Sequence, residues 1–326
     1  MPDPAPRRRR PPGSRTRGCG AGALVLLGSL GLSVGAVVLA LNVLTGDDGA
    51  SGTCRVDLDD GTSAALDADQ ADNAALFAAI GARRELPARG VTVAIATALQ
   101  ESKLRNIDYG DRDSVGLFQQ RPSQGWGTAE QIMDPVYSTN AFYDVLVTIE
   151  GWEGKEITDA AQDVQRSAFP DAYAQHEGRG RAFASALTGY SPAALTCHLD
   201  PAEEPTGDGE SPGANAAQRA ASVQARLARD FGEVASTVAP GGVLVVDATS
   251  VPPGLEPSAA RRAWALAQWA VATASATGAD VVAVDGRAWV RDEGDEAAWV
   301  PLAEAGVPDA VAEAAAGAPP GAVVIA

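Results

Sequence analysis

The stretch from Ala98 to Gly127, ALQESKLRNIDYGDRDSVGLFQQRPSQGWG, places one glutamate, Glu101, at the end of an apolar run. A Gly/Asp-rich loop and the pentapeptide GLFQQ follow it. A carboxyl half shielded from water has its charged form disfavoured and its pKa raised. That is the property an acid needs to protonate a departing glycosidic oxygen near neutral pH. Gly110 and Gly116 permit tight turns and close approach of a sugar to the backbone. Ser102 is placed to hydrogen-bond locally or cap the next turn. Gln119 and Gln120 carry uncharged donors and acceptors suited to acetamido and hydroxyl groups, and Trp126 and Tyr137 offer flat stacking faces. By composition and periodicity alone, a glutamate near a helix end is more often a solvated charge. Asp108, Asp111 and Asp113 have a bland role as well, capping turns of the GDRDS type. Arg112 and Arg121 either bind substrate carboxylates or pair with those aspartates.

Helices must position this stretch. Residues 91–106, VTVAIATALQESKLRN, set Val91, Ala94, Ile95, Ala98 and Leu99 near one face. Helical spacing also runs through 63–84, 128–149 and 158–176, with Thr128 and Thr158 as candidate N-caps. The segment 54–198 is therefore expected to be a mainly helical domain. Residues 199–215, rich in Pro, Gly and acid, suit a linker. Beyond it the pattern changes to a helix at 217–236 and then to short apolar strands around a Trp-containing helix ended by glycine. That predicts a small α/β or α+β domain over 216–326, its role unassigned.

Charge separates the chain further. The first 20 residues hold six arginines and one aspartate, which leaves −22 on the rest of a chain whose net charge is −17. Such acidity beyond the basic head argues against nucleic-acid binding. Residues 21–44 carry no charge. Twenty-four helical residues span about 36 Å, enough for a bilayer core of about 30 Å. The arginines ahead of the span keep the N-terminus cytoplasmic and put everything after Leu44 outside. The expected organisation is a cytoplasmic head (1–20), a single membrane span (21–44) and a spacer (45–53). The extracellular parts come next, in a single-pass protein of the plasma membrane. A cleaved signal peptide is the rival, opposed by the length of the run and by the lack of a small-x-small site. Cys54 and Cys197 fall on the oxidising side, where a disulfide between them is expected and two free thiols are the alternative.

The QES triplet with GLFQQ fifteen residues after its glutamate resembles the lysozyme-like superfamily of soluble lytic transglycosylases and goose-type lysozymes. There an ES motif precedes GLMQ, so Phe118 stands here for the usual methionine. MDPVYSTNAFYDVL resembles the next family feature through Asp134, Pro135, Asn140 and Tyr143. The later AYN motif is absent as such; DVQRSAFPDAY stands near its place, with Gln165 or Tyr173 as substitutes. The resemblance covers about residues 66–190. It implies a peptidoglycan substrate cut at the β-1,4 bond between N-acetylmuramic acid and N-acetylglucosamine. Glu101 is the implied acid/base, and Ser102, Gly116, Gln119, Gln120, Tyr137 and Tyr173 are the implied substrate contacts. Asp111, and after it Asp113, matches the loop aspartate that positions water in goose-type lysozymes. A second carboxylate about 6.5–9.5 Å from Glu101 would allow inverting hydrolysis. A transglycosylase needs none.

Other chemistry has little in its favour. Two histidines and no Cys/His cluster oppose a zinc site. No GxSxG, phosphate loop or dinucleotide fingerprint occurs, so no cofactor is expected. Trp264 and Trp269 suit core packing. Trp289 and Trp299 suit either cross-strand packing or sugar. The altered AYN region leaves a second expectation open, a catalytically inactive wall-binding or assembly protein. Under either expectation, the C-terminal part is the place for a cell-wall protein partner.

Overall fold

The computed structural model describes residues 52–167, 170–200, 212–252, 258–291 and 297–326. The basic head and the expected span at 21–44 lie outside them. Among the described residues, no helix is long and apolar enough to cross a membrane. The spacer expected over 45–53 ends early, because Gly52 and Thr53 already belong to a strand.

A hairpin comes first. Strands β1 (Gly52–Asp57) and β2 (Ser63–Asp67) are antiparallel. In their turn, Asp60 Oδ1 accepts the Thr62 amide at 2.8 Å and Gly61 takes a φ of +84°. Asp-Gly between short apolar segments is a hairpin signal, and the helix expected over 63–84 overran it. Helix α1 (Ala68–Arg83) begins only after β2. Strand β3 (Leu195–Leu199) pairs along the other edge of β1, giving the order β2-β1-β3. Cys54 and Cys197 lie opposite each other on β1 and β3 and are bonded, 143 residues apart in sequence. Closing so long a loop restricts the unfolded chain, so reduction is expected to cost about 2–5 kcal/mol. Melting with and without reductant tests this, and equal midpoints would refute it.

Helix α2 (Ala88–Ser102) is buried on nearly every side. Val91, Ala94, Ile95, Ala98 and Leu99 are covered, and so are Val93 and Ala96. A helix apolar all round belongs at the centre of a core. Helices α1, α5 (Ile157–Gln165) and α6 (Glu177–Leu187) pack around it. Two successive caps place α3 (Ala129–Met133) and α4 (Pro135–Leu146). Thr128 Oγ1 accepts the Gln131 amide at 3.2 Å, and Asp134 Oδ1 accepts the Val136 amide at 2.8 Å. Pro135, which has no amide to satisfy, takes the first helical position. Thr158 is not a cap; Glu156 holds the N-cap position of α5 without a side-chain capping bond, and Thr158 lies in the first turn.

The C-terminal part contains α7 (Pro212–Phe231), α8 (Ala259–Ala272), α9 (Ala274–Thr277) and α10 (Asp309–Gly317). Its strands are β4 (Ser236–Ala239), β5 (Val243–Asp247), β6 (Val281–Val284), β7 (Arg287–Val290), β8 (Val300–Pro301) and β9 (Ala322–Ile325). They form one sheet in the order β4-β5-β9-β6-β7-β8, with every pairing antiparallel. The arrangement is α+β rather than α/β.

Residues from 54–198 and from 216–326 contribute to one hydrophobic core, and the described residues form one compact unit. Buried polar groups join the two parts. The Gln268 carbonyl accepts the amides of Ala194 and Leu195 at 3.0 and 2.8 Å, and its amide donates to Ala186 O at 2.7 Å. Trp299 Nε1 donates to Leu195 O at 2.7 Å, and Trp289 Nε1 to Cys197 O at 3.2 Å. Trp264, Trp269, Trp289 and Trp299 are all buried. Core packing therefore accounts for all four, and Trp289 and Trp299 present no face to a sugar. Arg226 on α7 reaches Asp72 of α1 at 3.0 Å and Asp230 at 2.8 Å. Trp269 Nε1 completes the set on Asp230 at 2.9 Å.

Candidate functional site

Glu101 occupies the last turn of α2, just ahead of an abrupt stop. Lys103 and Leu104 both take left-handed backbone, with φ of +56° and +60°, and the Leu104 amide returns to Ala98 O at 2.8 Å. Neither residue is glycine. Burying the Leu104 side chain completely helps to offset the backbone strain. The chain then makes its loop and is pinned back beneath the helix end. Ser102 Oγ lies 2.7 Å from Leu117 O and 3.1 Å from Ala98 O. Phe118 stacks between Phe77 and Phe142, with ring centroids 5.0 and 4.4 Å away. An aromatic at this position joins a phenyl stack that fixes GLFQQ against α1 and α4.

The half-buried Glu101 carboxyl accepts the Tyr173 hydroxyl at 2.7 Å. The Gln165 amide also hydrogen-bonds to it while donating to Phe118 O at 2.8 Å. Burial raises the Glu101 pKa above the ordinary glutamate value, and it outweighs the two hydrogen bonds, which lower it. Tyr173 is itself pushed up, by burial first and then by the Glu101 charge, so it remains a donor. Gln165 and Tyr173 therefore converge on the same carboxyl.

This shift has a signed consequence for stability. Below the unfolded glutamate pKa, Glu101 is protonated in both states and the shift has no effect. As pH rises from there to the folded value, the unfolded chain releases its proton first and stability falls. Glu101→Gln lacks that loss. Its melting temperature should match wild type in acid and exceed it at neutral pH. A gap independent of pH would refute the assignment.

The remaining candidates divide by environment. Ser102 and Gln120 are 6% and 1% exposed. Ser102 is held at two carbonyls, and Gln120 Nε2 donates to Ser138 O at 3.2 Å. Both are struts beneath the site, a correction to the substrate contacts expected of them. Gln119, with a φ of +48°, staples the loop through Tyr109 O and Gly116 O at 3.2 and 3.3 Å. Gly116 has a φ of +80°, and a Cβ there would lie 2.9 Å from Ile132 O. Tyr137 packs on Gly127, where a Cβ would lie 2.6 Å from its hydroxyl.

Asp113 accepts the Ser123 amide and Arg121 Nε at 2.8 Å each, and Ser123 Oγ at 3.0 Å. The Ser123 amide, followed by Arg121, holds its carboxyl far below the usual range. Held by three hydrogen bonds and low in basicity, Asp113 braces the loop. Asp111 is exposed, and its nearest cation is Arg112 at 3.9 Å. Of these two loop carboxylates, Asp111 is the more exposed, and Asp113 is the one committed to the loop. Arg121 pairs within the loop and so is not left for a substrate anion. Among the described residues, no group of three His, Cys, Asp or Glu is placed to hold a metal ion.

The sequence matches no protein-family model and no curated protein. A functional reading of this chain therefore rests on the chemistry of the Glu101 site.

Proposed function

We propose that the protein is a membrane-anchored, extracytoplasmic glycosidase of peptidoglycan. It acts on the β-1,4 bond between N-acetylmuramic acid and N-acetylglucosamine as a lytic transglycosylase. The observation carrying this reading is the half-buried Glu101 carboxyl, shifted upward by burial and oriented by Tyr173 and Gln165. Protonated Glu101 donates to the glycosidic oxygen as the C1–O bond breaks. The resulting carboxylate takes the proton from the muramoyl 6-hydroxyl, whose oxygen then closes on C1 to give a 1,6-anhydro sugar. One carboxyl serves both steps. The sequence of residues 1–44 supports the membrane anchor, and the Cys54–Cys197 bridge suits an oxidising exterior.

The test is mass spectrometry of the soluble products from sacculi treated with the protein. Anhydro-muropeptides are expected. Hydrated reducing ends would replace transglycosylation with hydrolysis and bring Asp111 forward. Saturable binding to sacculi with no release from folded protein would favour the wall-binding alternative.

A further inference from the structure

Three hollows adjoin along a face that the Glu101 chemistry does not use. The first, about 390 Å³, runs along one side of α6 over Gly178, Arg181 and Ser185 and ends at Leu58 and Tyr190. Leu58 and Tyr190 also line the second, of about 700 Å³, which continues past Arg261 and Trp264 to Asp285 and Arg287. Those last two, with Ala260, pass into a third of about 550 Å³. A small-molecule site fills about 300–1,000 Å³, so this run of linked hollows is the shape of a polymer track. It starts beside the segment that carries Tyr173, since α6 comes directly after that segment.

The lining selects the polymer. Tyr190 is 50% exposed. Arg261 stacks on its ring at 3.2 Å from the centroid, which holds the side chain upright between the first two hollows. Arg261 is fixed in turn by donating to Thr188 O at 3.0 Å. Gly189 makes this contact possible: its φ is +75°, and a Cβ there would lie 2.1 Å from Arg261 O. The amphipathic ring offers an apolar face, which suits the flat C–H face of an equatorially substituted sugar. Around it, Asp57, Asp59, Asp285 and Arg287 mix acceptors and donors. Hydroxyl and acetamido groups fit such a set, whereas a phosphate backbone would meet the carboxylates.

We infer that this face is a binding track for a β-1,4-linked N-acetylated glycan strand, with Tyr190 as its stacking platform. The choice of glycan rests on the proposed function; the existence of the track does not.

Hydroxyl-radical footprinting of the full-length protein carrying Glu101→Gln, with a chitin hexasaccharide as probe, separates the two. Tyr190 reports on the track. Tyr109, 69% exposed and stapled by Gln119 in the loop that Ser102 pins to the end of α2, reports on the loop beside Glu101. Saturating probe should slow Tyr190 oxidation by about tenfold, and Tyr190→Ala should weaken the probe's affinity by about tenfold, the loss of one stacking contact. Tyr190→Phe, which keeps the ring, should bind as the parent does and so controls for folding. Protection of Tyr109 with unchanged Tyr190 oxidation would overturn the track and leave the proposed function standing. Protection of Tyr190 alone would support the track and count against substrate binding at Glu101. Protection by an acidic peptide and not by the sugar would overturn the glycan assignment.

Discussion

Glu101→Gln is expected to lower the rate of glycan cleavage by about 10²–10⁴-fold, the contribution of a positioned general acid. The substitution keeps the size and the acceptor for the Tyr173 hydroxyl, which stands 2.7 Å away. It removes only the transferable proton, so sacculus binding should persist. Tyr173→Phe gives the complementary result. The Tyr173 hydrogen bond favours the ionised carboxyl and opposes the upward shift caused by burial. Removing it pushes the Glu101 pKa higher. The alkaline limb of the activity profile, where Glu101 loses its proton, should then move to higher pH. Release of anhydro-products by Glu101→Gln at the wild-type rate would end the assignment. A Tyr173→Phe profile that moves toward acid would show that Tyr173 does not act through this carboxyl.

Asp230→Asn is expected to cost about 3–5 kcal/mol of stability, the loss typical of breaking a buried ion pair from one side. Asp230 is fully buried and receives Arg226 Nε, Arg229 Nε and Trp269 Nε1 at 2.7–2.9 Å. Without its charge, Arg226 keeps only Asp72, whose carboxyl burial already pushes above the usual range. At about 2–4 °C per kcal/mol for a unit of this size, the midpoint should fall by about 10 °C. Arg229→Ala is the control. Arg229 is 42% exposed, so its loss should cost about 1 kcal/mol or less. The network joins α1 to α7 and α8, so the whole melting transition should shift together. A fall of only a degree or two, or an early transition that moves alone while the main one stays, would contradict a shared core.

Local sequence signals make a good part of this legible. The apolar stretch of α2, the cap at Thr128, the glycine that ends the Trp-bearing helix pair and the apolar strands of the C-terminal sheet all act over a few residues, through periodicity, capping and turn chemistry. The β1–β2 hairpin is written in Asp60–Gly61 as well. Its second strand is masked in the sequence because the alanine-rich residues of 63–84 fit a helical period as well as a strand of five.

Other features come from partners distant in the chain. The sequence places a carboxyl at the end of an apolar helix. Only folding decides that Tyr173, 72 residues on, holds it. Ser102 and Gln120 have the right chemistry for sugar, but packing buries them and turns each donor to a backbone carbonyl. Asp113 becomes a loop brace because Arg121 and Ser123 converge on it. The linker composition at 199–215 is local and does not report how residues 216–326 pack, whereas Gln268, Trp289 and Trp299 send their polar groups into β3 and its neighbouring backbone. Tyr190 carries no motif, and its significance depends on Arg261 and on hollows lined from several elements. The sequence by itself therefore determined helices, turns and a candidate acid, which arise from neighbours along the chain. Burial, pairing and the groove arise from neighbours in space, so the tertiary structure alone decided them.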